Sequence, residues 1–161
     1  MTPKMTQIFL LENSIEWKAT PGMKLYHVGA AEFKTFKDRP TWFTHDLGQV
    51  EGYKNNVNGE CWVYTCELKA GKIASEKDVA PLAKEIFGDE PVLYSMFDER
   101  IGEFNKEDIR KFVKSLSAAG YAGCQHLDYD AVNDQKDSMT LVLFHPSSSV
   151  KILSVEDCNS H

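Results

Sequence analysis

Short strands are predicted where apolar and polar positions alternate along the chain. The alternation is clearest over residues 61–68, where Trp62, Tyr64 and Cys66 fall on one side of an extended segment. Residues 92–97 are apolar but fit a helix or a strand equally well. The predicted strands are 24–28, 41–44, 61–68, 139–144 and 150–153.

Apolar residues at helical spacing predict three helices in the middle of the chain. The strongest lies between Asn105, its expected N-cap, and Gly120, which ends it. Asp78 is expected to cap a second helix that stops at Gly88, and a shorter helix is expected over about 46–55. Strands followed by helices and then strands predict an α+β fold with mainly antiparallel pairing.

Length and composition fit one globular domain. The chain has 161 residues, of which 42% are hydrophobic and 26% charged. We expect residues 1–20 to form an arm and residues 21–161 the domain. The net charge of −6 argues against a broad basic face, so we do not expect nucleic acid as a partner. The apolar run at 8–11 is too short for a signal segment or a membrane span, and we expect no membrane partner.

The cysteines show neither a metal-binding nor a redox spacing. They stand at positions 61, 66, 124 and 158, and the histidines have no metal-ligand spacing with them, so no metal is expected. Cys61 and Cys66 lie five residues apart in one strand and would point to opposite faces. We therefore expect free, buried thiols and a cytoplasmic protein, in the producing cell or in an infected or intoxicated cell.

Three short segments between residues 26 and 53 depart from a generic pattern. They read Tyr-His-Val-Gly at 26–29, Trp-Phe-Thr-His-Asp at 42–46 and Val-Glu-Gly-Tyr at 50–53. This order resembles the His-Tyr class of ADP-ribosyltransferases, with its Tyr-His-x-Gly strand, its Phe-Phe-(Thr/Ser)-x-Asp strand and a helix that presents a tyrosine.

The last third of the chain is similar to the same families. Gly-Tyr-Ala-Gly at 120–123 looks like their Gly-Tyr-x-Gly turn, and 141–147 with 150–152 looks like their closing pair of strands. The resemblance spans roughly residues 24–153. It implies split antiparallel β-sheets that form a β-sandwich core flanked by helices.

The resemblance also implies NAD+ as co-substrate and assigns roles around the first strand. Cleavage of the N-glycosidic bond of NAD+ develops an oxocarbenium-like cation, so an enzyme must hold the ribose and the nicotinamide. By this resemblance His27 hydrogen-bonds a ribose hydroxyl, and the main chain around His27, Val28 and Gly29 binds the carboxamide. The alternative is that His27 is a surface or core residue.

Aromatic and hydroxyl side chains would complete the NAD+ site. The resemblance implies that Tyr53 stacks on nicotinamide, supported by Trp42 and Phe43, and that Thr44 adds a hydroxyl contact. Each also has a structural interpretation. Tyr53 can anchor its helix, Trp42 and Phe43 can be core residues, and Thr44 can cap the helix that follows.

The catalytic acid is the point at which the sequence departs from the common pattern. Many members carry a glutamate where this chain has Thr140. A smaller branch, which includes an anti-CRISPR ADP-ribosyltransferase, places an aspartate five residues after the Gly-aromatic-x-Gly turn, and that position here is Asp128. Asp130 is the second choice, and Asp137 and Gln125 are lesser candidates. The acidic segment can also be a plain surface loop.

The resemblance implies a mono-ADP-ribosyltransferase that modifies a protein target of unknown identity. Its small size suits a phage-encoded effector or a bacterial toxin. Two alternatives remain open: an NAD+ glycohydrolase, which passes ADP-ribose to water, and an inactive binding or inhibitor module. The RNA 2′-phosphotransferases share the expected fold, but the charge of −6 argues against their basic substrate groove.

Overall fold

The computed structural model describes residues 19–54, 60–69, 71–88, 94–128 and 138–158. Most of the predicted arm, together with Asp130 and Asp137, lies outside these residues. The described residues form seven strands and four helices, which confirms the α+β prediction. In chain order the elements are β1 Lys24–Gly29, β2 Thr41–Thr44, α1 Leu47–Lys54, β3 Trp62–Leu68, β4 Lys72–Ala74, α2 Glu76–Phe87, a 3₁₀ turn Tyr94–Met96, α3 Lys106–Ala118, β5 Tyr121–Asp128, β6 Ser138–Leu143, α4 Pro146–Ser149 and β7 Val150–Asp157.

The seven strands form one mixed sheet in the order β4-β5-β6-β2-β1-β3-β7. All neighbours pair antiparallel except β4 and β5, which are parallel. The resemblance implied split antiparallel sheets with a β-sandwich core, whereas the described strands form one sheet because β2 pairs with β6 on one side and with β1 on the other. The β1–β2 junction is thin, since Tyr26–Thr44 is its one register pair, while β2 and β6 share four.

Each face of the sheet carries its own core, since neighbouring residues of a strand point to opposite faces. Thus Leu141 and Val142 belong to different clusters. Helices α2 and α3 cover the first cluster, which comprises Ala74, Val79, Ala83, Met96, Phe97, Phe112, Leu116, Cys124, Val142 and Phe144. The second cluster comprises Leu25, Phe36, Phe43, Tyr64, Cys66, Leu68, Leu141, Leu143 and Val150.

The two longest helices begin at side-chain caps. Asn105 caps α3, as predicted, because its carboxamide oxygen accepts from the N–H groups of Glu107 and Asp108. Helix α2 begins earlier than predicted: Ser75 is the N-cap, and Asp78 is the third helical residue of a reciprocal capping box. Asp78 therefore supports the cap without being the cap.

The prediction of four free thiols is wrong for two cysteines. Cys61 precedes β3 and Cys158 follows β7, and the pairing of these antiparallel strands brings the two Cα atoms to 5.1 Å in a disulfide. The two cysteines are 97 residues apart, so a local cysteine spacing could not predict the bond. Cys66 and Cys124 are free and buried, as expected. Separately, no helix in the described part of the chain is long and apolar enough to cross a membrane.

Candidate active site

His27 lies at the thin junction between β1 and β2. In the β1–β3 ladder, the main chain of His27 is opposite that of Tyr64. Toward β2, the imidazole Nδ1 of His27 lies 2.8 Å from the main-chain oxygen of Trp42. The β1–β2 ladder has its register pair at Tyr26–Thr44, so Trp42 would face Val28 if the ladder continued. The carbonyl of Trp42 bonds the imidazole of His27 at the position where the ladder stops.

This hydrogen bond fixes the tautomer of His27. A carbonyl oxygen only accepts, so Nδ1 donates, and a neutral ring leaves Nε2 with a free lone pair. Burial lowers the pKa of His27 below 6.5; the bond to Trp42 opposes this effect, and the positive charges of Arg39 and Arg100 add to it. The imidazole is therefore neutral at pH 7, with Nε2 as an acceptor.

The space next to Nε2 depends on a glycine. A Cβ atom built on Gly29 would lie 3.3 Å from Nε2 of His27, closer than most real Cβ contacts. Within the described residues, the one hydrogen bond of His27 is that of Nδ1. Nε2 of the neutral ring is therefore an acceptor that a hydroxyl donor would match.

Three aromatic rings hold the imidazole in place. The ring centroids of Phe36, Phe43 and Tyr64 lie 5.3, 5.6 and 5.9 Å from that of His27. Phe43, which was predicted to support Tyr53 at the site, packs against the ring of His27. Because the rings surround His27 on the second core face, its orientation is fixed before any ligand binds.

The loop between β1 and β2 is attached to this aromatic cluster. The Tyr64 hydroxyl donates to the carbonyl of Ala31 at 2.6 Å and accepts from the N–H of Phe33 at 2.9 Å. The Phe33 ring stacks on Tyr64 with centroids 4.4 Å apart. At the far end of the loop, the hydroxyl of Ser147 donates to Asp38 at 2.6 Å. The loop is thus tied to β3 at one end and to α4 at the other.

Thr44 and Tyr53 lie on elements that contact β1, and each has a structural setting of its own. Thr44 is buried on the opposite face from Phe43, and its hydroxyl accepts from the N–H of Asp46, which supports the turn into α1. Tyr53 is partly buried in the last turn of α1, a helix that contacts both β1 and β2. Helix α1 therefore adjoins the junction that holds His27.

The predicted acids lie further away in the sheet. Asp128 ends β5 opposite Ser138 of β6, and β6 and β2 separate β5 from β1. Three strand spacings put its backbone roughly 14 Å from β1 across the sheet. Thr140 is buried between Thr44 and His126 in the ladder. Gln125 is buried, and its side-chain oxygen accepts from the N–H of Ala19.

A charged cavity that the sequence did not predict lies near His27. It has a volume of about 310 Å³ and is lined by Arg39, Pro40, Phe97, Asp98, Glu99, Arg100 and Lys106. Arg39 and Arg100 both act on the pKa of His27, so the cavity is within electrostatic range of the imidazole. In the sequence, the feature that could have pointed to this cavity is the charged triplet at 98–100, which directly follows the apolar run at 92–97.

No family model, curated protein or solved structure matches this chain. Its function has to be inferred from the chemistry of its own residues.

Proposed function

We propose that the chain binds NAD+ and transfers its ADP-ribose to a protein target. The observation that carries this proposal is the state of His27, whose Nδ1 is bound to Trp42 while Nε2 is left as an acceptor beside Gly29. A neutral, oriented imidazole of this kind suits a ribose hydroxyl, which donates to Nε2 and orients the sugar for loss of nicotinamide.

The nicotinamide would lie where the β1–β2 ladder stops. Here the main chain of Val28 and Gly29 would hydrogen-bond the carboxamide, which needs one donor and one acceptor and no particular side chain. Tyr53 would stack on the ring from α1, and Phe43 would hold His27 from behind. Thr44 would act through the turn that positions α1. The thin junction supports this arrangement because β1 and β2 have one register pair there.

Transfer also needs a negative charge near the developing oxocarbenium ion. Asp128 remains the first proposed acid and Asp130 the second. By strand alternation the Asp128 position shares the first face with Cys124, whereas His27 packs on the second face three strands away, so a catalytic Asp128 requires the ribose to be reached around the end of the sheet. We expect Asp128→Asn to reduce transfer at least about 100-fold, with Glu156→Gln as a control that removes an equal charge from an exposed position on β7.

An inactive NAD+-binding module is the second candidate function. The observation that favours it is Thr140, which is 1% exposed and occupies the position where related enzymes carry a glutamate. If neither Asp128 nor Asp130 supplies the charge, the chain would bind NAD+ without cleaving it and would act by blocking a partner.

Labelled NAD+ separates these functions. The whole chain is incubated with cell lysate and with NAD+ that carries one label on the adenylate and a second on nicotinamide. Transfer to a protein gives protein that carries the adenylate label and free nicotinamide, whereas glycohydrolysis gives free nicotinamide and free labelled ADP-ribose without labelled protein. Binding without release of nicotinamide identifies the inactive module. Absence of both binding and turnover would contradict the NAD+ proposal altogether.

The proposed setting is the cytoplasm of a cell that the protein is made in or delivered to, as expected of an effector or toxin. A reducing cytoplasm keeps most cysteines as thiols. The disulfide between Cys61 and Cys158 contradicts the free thiols on which that expectation rested. Trapping thiols in intact producing cells before lysis tests the setting, because a cytoplasmic chain would have both cysteines reduced.

A further inference from the structure

The two carboxylates of the cavity near His27 are each paired with an arginine. Asp98 accepts two hydrogen bonds of 2.9 Å from the guanidinium of Arg100. Glu99 accepts two from Arg110, at 2.8 and 3.3 Å. These bidentate pairs neutralise the acidic part of the lining.

Two cations of the lining have no such partner. Among the described residues, no hydrogen bond or ion pair involves the guanidinium of Arg39 or the ammonium of Lys106. Lys106 is also the first residue of α3, where the helix dipole adds positive potential and the acidic Glu107 and Asp108 of the first turn oppose it. The lining itself has three positive and two negative side chains, which gives it a net charge of +1.

We propose that Arg39 and Lys106 bind phosphate groups in this cavity. Paired carboxylates and unpaired cations in one concave site favour a multiply charged, oxygen-rich anion, and a guanidinium matches phosphate geometry with two parallel donors. Given the NAD+ function proposed above, on which the ligand's identity rests, the phosphate would be the pyrophosphate of NAD+. Its nicotinamide ribose would then extend toward His27.

The size and position of the cavity fit part of such a ligand. A volume of about 310 Å³ is at the lower end of the range for ligand pockets. Phe97, which is 2% exposed, gives the lining a rigid apolar wall. Phe97 belongs to the first cluster and His27 packs against Phe43 of the second, so a ligand that contacts both Arg39 and His27 has to pass the start of β2.

The test is calorimetric titration of the whole chain with NAD+, ADP-ribose, inorganic pyrophosphate and nicotinamide riboside. Arg39→Gln and Lys106→Gln should each weaken binding of the first three ligands about tenfold or more, and should leave nicotinamide riboside unaffected. Lys37→Gln and Lys111→Gln are the matched controls, since each removes one exposed positive charge from the same loop or helix outside the cavity. Equal losses in the control variants would overturn the proposal.

A further variant, Asp98→Asn, should strengthen phosphate binding instead of weakening it. Asp98→Asn releases the Arg100 guanidinium from its ion pair and keeps an oxygen for the N–H of Arg100. It should strengthen pyrophosphate binding several-fold, and added salt should reduce that gain. Weaker or unchanged binding in a folded Asp98→Asn protein would contradict a phosphate site.

The outcomes also separate this proposal from the NAD+ function. Binding of NAD+ that is insensitive to Arg39→Gln and Lys106→Gln would overturn the phosphate site and leave the NAD+ proposal standing. Binding of pyrophosphate that depends on both residues, without binding of NAD+, would support the phosphate site and contradict the NAD+ function. The site would then serve another phosphate-bearing ligand.

Discussion

At the scale of single residues, His27 has two separable roles, one for each ring nitrogen. In a His27→Asn variant the side-chain amide can still donate to the Trp42 carbonyl, but no acceptor remains at the position of Nε2. We expect this variant to fold, with a modest loss of stability from lost ring packing, and to bind NAD+ about tenfold more weakly. Calorimetric titration and urea unfolding measure the two effects.

A second substitution of His27 tests whether a hydrogen-bond acceptor at the position of Nε2 is needed for NAD+ binding. His27→Gln can place an amide oxygen near the position of Nε2 while losing the bond to Trp42. It should recover part of the NAD+ affinity at a larger cost in stability. Wild-type NAD+ affinity in both variants would mean that His27 is a core residue held by its aromatic neighbours.

The lowered pKa of His27 also predicts a pH dependence of stability. Burial lowers this pKa below 6.5, so the unfolded chain binds the proton more readily than the folded one. The contribution of neutral His27 to stability is fully present above pH 6.5 and is lost as the pH falls through the lowered pKa. The free energy of unfolding should therefore fall on acidification more in wild type than in His27→Asn. His45, whose pKa burial also lowers, contributes equally to both proteins.

At the scale of secondary-structure elements, local signals were sufficient for much of the fold. Helix α3 begins after Asn105 and ends before Gly120, as predicted, because capping residues act within one turn of the chain. Strand β7 is longer than predicted, reaching Asp157, because its pairing with β3 extends it. The short strand β4 was missed, since its pairing with the distant β5 is not encoded in its own three residues.

The cap of α3 gives a prediction at this scale. Asn105→Ala leaves the N–H groups of Glu107 and Asp108 without their side-chain acceptor, and Asn105 is exposed, so no packing is lost. We expect a loss of about 1 kcal/mol in the free energy of unfolding, measured in urea. Asn105→Asp should retain most of the stability, because a carboxylate also accepts these bonds. An Asn105→Ala protein as stable as wild type would refute this role.

At the scale of the whole molecule, what the sequence missed depends on contacts between distant segments. The sequence put His27 and Trp42 in the same motif, but the hydrogen bond between them depends on where the β1–β2 ladder stops. The cavity combines Arg39 with the triplet at 98–100 and with Lys106, which lie far apart in the chain. Periodicity and motif spacing carry no information about such tertiary proximity.

The disulfide is the largest long-range feature, and thiol counting tests it directly. Burial raises the pKa of the Cys66 thiol to about 12 and also raises that of Cys124, so neither should react in the native protein at neutral pH. Denaturation of purified, air-exposed protein should expose two thiols per chain, and reduction should expose four.

Closing a loop between cysteines 97 residues apart restricts the unfolded chain strongly. Reduction should therefore lower the free energy of unfolding by about 2–5 kcal/mol. A Cys61→Ser, Cys158→Ser double variant should reproduce that loss and become insensitive to reductant. Four thiols in the unreduced, denatured protein would show that β3 and β7 are held by their ladder alone, and would restore the expectation of a reducing compartment.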